Sequence, residues 1–186
     1  MPPLRPATPS DLSAIVALTE EAYAHYLPVL GYPPVPVTED YALRVEAGEV
    51  WLLEAEDKLA VANSGKAAEE AAGQNGRPVG GPSEASRETN RLAGLMVIET
   101  HPDHLMLFSI AVAKAHQGKG LGVAMMQWLE DRARELGKPE IRLYTNALMT
   151  RNLALYQSLG YEETGRRPNP KRPQFTIVDM VKRVAP

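Results

Sequence analysis

Between an apolar run, Leu105–Ala113 (LMLFSIAVA), and an amphipathic run opening at Leu121 stands a turn with glycines at 118, 120 and 122, in KAHQGKGLG. Nine nearly unbroken apolar residues have the length and composition of a central strand covered on both faces. Three glycines within five residues permit tight turning and close backbone approach, and the first turn of the following helix leaves N–H groups without intrahelical partners. A strand, a glycine turn and a helix in this order predict an anion site; the alternative is an ordinary strand-to-helix loop with no ligand. Two phosphate loops fail on their own offsets. A P-loop needs Ser or Thr after Gly-Lys, and Gly120 follows Lys119; the dinucleotide fingerprint would put its third glycine on Val123.

The elements around this centre follow from spacing. Thr8 caps a first helix with Pro9 at its first position, and Leu12, Ile15, Val16, Thr19, Ala22, Tyr23 and Tyr26 form its apolar stripe, ending before Leu27-Pro28. The next segment, PVLGYPPVPVTED, is too rich in proline to be regular, and Thr38 caps a short helix ending near Gly48. VWLLEAE and LAGLMVIE read as strands flanking an insertion at 58–90, which holds no aromatic residue and replaces a hairpin turn. After the glycine turn, Leu121, Met125, Trp128, Leu129, Arg132 or Ala133, and Leu136 mark one helix face, stopped by Gly137 and Pro139. IRLYT is a strand, 149–159 a helix, and GYEETGRR with QFTIVDMVKR the two last strands, joined through PNPK. The expected fold is one mixed α/β (α+β) domain over 1–186, with helices covering a sheet.

Composition excludes several functions. A formal net charge of -3 gives no basic footprint for nucleic acid, and the absence of cysteine removes disulfides, thiolate metal ligands and a cysteine nucleophile together. No metal is called for. MPPLRPATPS has neither a long apolar core nor a cleavage-like site, and no run approaches the roughly 20 apolar residues of a membrane span. A cytoplasmic protein without membrane contact is expected.

A second constellation lies about thirty residues beyond the turn, in NLALYQSLGY. Asn152 and Tyr156 are four apart and share a helix face, so an amide and a phenol are presented together, while Leu155 and Leu159 mark a neighbouring apolar stripe. Taken alone, Tyr156 reads as a core tyrosine with a bonded hydroxyl.

The order of these pieces, an apolar strand, Gln117-x-x-Gly120-x-Gly122 opening a helix, a strand, then Asn152-x-x-x-Tyr156 before Leu159-Gly160-Tyr161, resembles the GCN5-related N-acetyltransferase family. The resemblance implies a mostly antiparallel sheet whose fourth and fifth strands splay apart at a bulge. It implies acetyl-CoA as acetyl donor, its pyrophosphate held at Gln117, Gly118, Lys119, Gly120, Leu121 and Gly122, and its pantetheine arm along the backbone of Ile110, Ala111 and Val112. Asn152 would hold the cofactor, and Tyr156 would protonate the leaving thiolate. The implied reaction is direct attack by a primary amine in a ternary complex; the alternative is a CoA-binding or ligand-sensing module without catalysis.

An aliphatic amine has a pKa of about 10.4, so a base or a water chain must take its proton. The family's strand-four glutamate falls on Met106 here, which leaves Glu99, His101, His104 or water. The acceptor, a small molecule or a peptide, is not specified. Tyr23, His25, Tyr26 and Tyr32 stand where the family forms its acceptor cleft, together with the basic pairs Arg166-Arg167 and Lys171-Arg172, which suit a carboxylate-bearing acceptor. A homodimer is among the assemblies this fold allows.

Overall fold

Alternation with period two sets the two faces of the sheet. Val50, Leu52, Leu95 and Val97 turn to one side, Trp51, Leu53, Met96 and Ile98 to the other, and each set joins a separate apolar cluster. The computed structural model describes residues 4–55 and 91–184; the insertion expected at 58–90 lies outside the described residues.

The elements are β1 (Arg5–Pro6), α1 (Leu12–Tyr23), α2 (Leu27–Leu30), α3 (Tyr41–Glu46), β2 (Val50–Glu54), β3 (Leu92–Thr100), β4 (His104–Val112), α4 (Leu121–Glu135), β5 (Glu140–Asn146), α5 (Thr150–Ser158), β6 (Glu162–Asn169) and β7 (Arg172–Arg183). Seven strands lie in the order β1-β2-β3-β4-β5-β7-β6. All neighbours are antiparallel except β4 and β5. That parallel pair needs a crossover, and α4 supplies it. Ile15 and Leu18 of α1 and Val45 of α3 fill one cluster; Met125 and Leu129 of α4 and Tyr156 of α5 fill the other. Ile15, Leu18, Met125 and Leu129 are fully buried, each worth about 1.5–3 kcal/mol of apolar transfer.

Gly94 in β3 sets how closely α4 docks. A Cβ there would stand 2.9 Å from the Ala111 carbonyl oxygen and 2.9 Å from Met125 Sδ, so only glycine admits this approach. The glycine turn is thereby held tightly against the sheet.

Three local expectations are corrected. The first helix ends at Tyr23, before Leu27-Pro28 as expected, and a 3-10 turn, Ala24–Tyr26, carries the chain into α2. Pro28 is tolerated because it sits in the first turn, where its missing N–H has no intrahelical role; Gly31 then ends α2 with φ 71°. The proline-rich segment is accordingly partly regular, with α2 and a 3-10 turn at Val35–Thr38. Thr38 belongs to that turn, and the cap of α3 is Asp40, whose side chain accepts from Ala42 N–H at 3.0 Å. Finally, Leu136 falls just past the end of α4 and is 39% exposed.

Candidate active site

The register of β4 creates an opening. Pairing with β5 runs from His104 opposite Glu140 to Leu107 opposite Leu143 and then stops, although β4 continues to Val112 and β5 to Asn146. On the other side β3 stays paired, with Ile98 opposite Leu107 and Val97 opposite Ser109. Phe108 is therefore the extra residue of a bulge, which bends β4 away from β5.

Beyond the bulge, Ala113 N–H donates to the Ala93 carbonyl at 3.0 Å. Alternation along an antiparallel pair then turns the peptide groups of Ser109 and Ala111 to β3 and those of Ile110 and Val112 to the opened edge. Of the three strand residues expected along the cofactor arm, Ile110 and Val112 face the gap with their backbone; Ala111 faces β3. Two edge carbonyls already have partners: Tyr23 Oη donates to Ile110 O at 3.1 Å, and Gln117 Nε2 to Val112 O at 3.0 Å. The edge N–H groups of Ile110 and Val112 have none among the described residues.

The glycine turn continues this edge. Gly118 and Gly120 have φ 73° and 77°, a region that L side chains enter at a cost of about 1–2 kcal/mol. In this conformation the N–H groups of residues 118 to 123 find no acceptor among the described residues. The Gln117 side chain reaches back to Val112 of β4, and that of Lys119 folds back on the turn itself, Lys119 Nζ reaching Ala115 O at 2.9 Å. What the turn presents is a run of backbone donors at the positive end of α4, an arrangement whose chemistry suits an anion.

Asn152 and Tyr156, expected on one face of a helix, both line the cleft between the splayed strands. Tyr156 is 6% exposed, and its hydroxyl makes no hydrogen bond among the described residues. Burial raises its pKa far above that of a free phenol, so it stays protonated and able to donate at any physiological pH. Asn152 Oδ1 accepts from Tyr26 Oη at 2.8 Å. Tyr23 and Tyr32 also line the cleft, while His25 is exposed outside it with its ring 3.9 Å from that of Tyr26.

The remaining lining was hidden in the sequence. Phe108, Ser109, Tyr144 and Asn146 face the cleft, and the one signal was Ser109, a hydroxyl inside an otherwise apolar strand. It belongs to a buried network in which Ser109 Oγ lies 3.1 Å from Tyr23 Oη, and Thr19 Oγ1 lies 3.2 Å from Tyr41 Oη. Burial raises the pKa of Tyr23 and Tyr41, so the network holds neutral hydroxyls.

Glu99, His101 and His104 stand together but do not line the cleft. Glu99 Oε1 accepts from Arg44 Nη1 at 2.6 Å, and Glu99 Oε2 lies 3.3 Å from His101 Nε2. His101 stacks on His104, centroids 4.5 Å apart, and His104 Nδ1 lies 2.8 Å from Asp103 Oδ1. Arg44 also binds Glu39 and Glu49, at 2.8 and 2.7 Å, and lies over the Phe108 ring at 4.2 Å. Burial works against its charge, but the three carboxylates outweigh it and hold Arg44 protonated. This ion cluster thus backs the bulge residue from outside the cleft. Among the described residues no carboxylate or imidazole lines the cleft itself.

Comparison with known proteins agrees with this arrangement. Residues 19–161 match the model of the acetyltransferase (GNAT) family. The chain is 32% identical over 82 residues to the [ribosomal protein bS18]-alanine N-acetyltransferase of Escherichia coli strain K12, covering 44% of this chain and 55% of that protein. It is 36% identical over 62 residues to human N-acetyltransferase 8B, covering 33% of this chain and 27% of that protein. The matched stretches thus span about half or less of these curated relatives. In three dimensions the crystal structure of the ribosomal-protein-S18-alanine N-acetyltransferase from Escherichia coli superposes with a TM-score of 0.64 at 21% identity, covering 100% of this chain and 96% of that one. The bulged and splayed strands, the donor-rich turn and the family match over residues 19–161 lead to one assignment: the chain belongs to the GNAT acetyltransferase family.

Proposed function

We propose that the protein is an acetyl-CoA-dependent N-acetyltransferase acting on a primary amine by direct attack in a ternary complex. One observation carries this reading: the opened edge of β4 leads, through the 3-10 turn Lys114–His116, to the N–H groups of residues 118 to 123, which have no acceptor among the described residues, and Tyr156 lines the cleft beside Ile110 of that edge. The donor set suits the extended, phosphate-bearing shape of CoA. The turn would take the pyrophosphate, the N–H groups of Ile110 and Val112 the amides of the arm, and Asn152 would steady the arm beside them.

Acetyl-CoA, when bound, supplies the acetyl thioester. The protein's part is placement and proton transfer. A backbone N–H on the β4 edge stabilises negative charge developing on the thioester oxygen. Tyr156, kept neutral by burial, gives its proton to the departing sulfur. Since no carboxylate or imidazole among the described residues lines the cleft, the amine proton leaves through water. Tyr144 is among the cleft hydroxyls that can order it.

Calorimetry with CoA and assay of free thiol released from acetyl-CoA over a panel of amines test the reading. Micromolar CoA binding and amine-dependent thiol release are expected. Binding with no release for any amine would move the protein to the alternative, a CoA-binding or ligand-sensing module; no binding would remove both.

A further inference from the structure

Four cations of the β6–β7 hairpin suggested an acidic acceptor, and the structure sorts them. Arg166 is forked onto Glu163 at 2.7 and 2.9 Å, and Arg167 onto Asp179 at 2.8 and 3.0 Å. Both are already neutralised by internal partners. Lys171 is exposed, and its side chain makes no hydrogen bond or ion pair among the described residues. Arg172 differs from all three. Its guanidinium lies 3.7 Å from the centroid of the Tyr32 ring, and it makes no hydrogen bond or ion pair among the described residues.

The platform under Arg172 is fixed. Tyr32 is 9% exposed, accepts from Asn146 Nδ2 at 3.4 Å, and meets the Phe175 ring edge-on at 5.0 Å. Tyr32 and Asn146 both line the cleft, as does Asn169, which is the register partner of Arg172. Stacking uses the face of the guanidinium and leaves its N–H fork free. Asn169 Oδ1 accepts from Lys171 N–H at 3.0 Å, so its remaining polar group is the Nδ2 donor. The rim therefore offers donors and a positive charge with no internal acceptor.

A net negative cluster stands behind the β4 wall of the cleft. Behind Phe108 the single cation Arg44 is surrounded by Glu39, Glu49 and Glu99. Burial raises the pKa of Tyr144; the charges of Glu99 and Glu39 add to this and those of Arg167 and Arg44 oppose it. A ligand with an ammonium group at one end and an anion at the other fits this field in one orientation.

Resting on the acetyltransferase reading of the cleft, we propose that Arg172 is a specificity-determining residue that receives, by a forked ion pair, a carboxylate carried by the amine acceptor. The acceptor is thus an amino acid-like molecule whose carboxylate meets Arg172 at the rim while its amine points inward.

Two readouts test this with one set of probes: glycine, β-alanine, 4-aminobutyrate and 6-aminohexanoate, each beside its carboxamide. Binding to the CoA-loaded protein is followed by NMR titration, and transfer by thiol release from acetyl-CoA. At least one carboxylate should bind about tenfold or more tightly than its amide, the usual worth of a hydrogen-bonded charge pair. Arg172→Gln should abolish that preference, Arg172→Lys should restore part of it, Arg166→Gln should leave it intact, and added salt should weaken it. Equal binding of every acid and its amide, a preference unchanged in Arg172→Gln, or efficient transfer only to an N-terminal peptide amide would overturn the proposal. Carboxylate preference without thiol release would sustain the role of Arg172 and sink the transferase reading. Thiol release with uncharged amines, indifferent to Arg172→Gln, would do the reverse.

Discussion

The Tyr26 hydroxyl donates to Asn152 Oδ1 at 2.8 Å and thereby joins the two apolar clusters that the sheet otherwise separates. Tyr26 belongs to the cluster built on α1, whereas the α5 residues on either side of Asn152 in space, Leu153 and Tyr156, pack with α4. They meet where β4 and β5 part, because no strand stands between them. The bond also fixes the Asn152 amide, turning its Nδ2 toward Met149 Sδ, 3.9 Å away. Tyr26→Phe should cost about 1 kcal/mol of stability and raise the KM for acetyl-CoA several-fold with kcat less affected. In a double-mutant cycle with Asn152→Ala, unfolding in urea should show coupling of about 0.5–1.5 kcal/mol; additivity would show that the two residues act separately.

Tyr156→Phe separates catalyst from binder. It removes a hydroxyl that has no protein partner among the described residues, so packing, stability and CoA affinity should change little. Turnover with a good amine should fall by a factor of about 10² to 10⁴, the range for a positioned proton donor. The deficit should be largest at pH values below the thiol pKa, where the departing sulfur most needs a proton. Steady-state rates beside calorimetry check this; parallel loss of affinity and rate would make Tyr156 a packing residue.

Gly120→Val probes the turn. No atom lies within 4 Å of where the new Cβ would stand, so crowding is not the cost. The cost is φ 77°, which a branched residue resists by about 1–2 kcal/mol or more, and the loss of close backbone approach by an anion. Calorimetry should show CoA binding reduced at least a hundredfold in a variant whose circular dichroism is unchanged. Wild-type affinity would remove Gly120 from the site.

Acid stability should depend on Asp11. Its carboxylate accepts from both Arg5 Nη atoms, at 2.9 and 2.8 Å, and from Thr8 N–H and Oγ1, at 2.8 Å each. The Arg5 hydrogen bonds, then those from Thr8, hold its pKa well below the usual carboxylate range, against the opposing effect of burial. A depressed folded-state pKa gives stability that is complete above the ordinary value of about 3.9 and is lost as pH falls through the folded value. Asp11→Asn should lower the urea midpoint at pH 7, and the gap to wild type should narrow below about pH 4. A gap independent of pH would exclude Asp11 as its source.

How much of this was legible in the sequence depended on whether a feature is local. The glycine turn, the stripe of α4 up to Ala133 and the shared face of Asn152 and Tyr156 follow from spacings of a few residues, and each stands where periodicity put it; only Leu136, past the helix end, leaves the stripe. The cap of α3 was two residues off because Thr38 and Asp40 are both favourable cap residues in isolation, and the 3-10 turn over Val35–Thr38 takes up Thr38 and leaves Asp40 as the cap. The missed features are nonlocal. Nothing near Phe108 marks it as the bulge residue, and Arg44 gathers carboxylates at 39, 49 and 99 that only the folded chain brings together. The cations of the last hairpin were visible as a group, but their separation into paired and free rests on Asp179 and Tyr32, distant in sequence from Arg167 and Arg172.

The parallel seam has a mechanical consequence. Four strands lie on one side of it and three on the other, and only four residue pairs, His104–Leu107 with Glu140–Leu143, join the two plates, against seven pairs each in the adjoining β3–β4 and β5–β7 ladders. All four sit at one end. Past the seam the two plates are held by side chains alone, such as the apolar cluster that Leu107, Leu143 and Tyr156 share, so the width of the slot is set by packing and not by a backbone ladder.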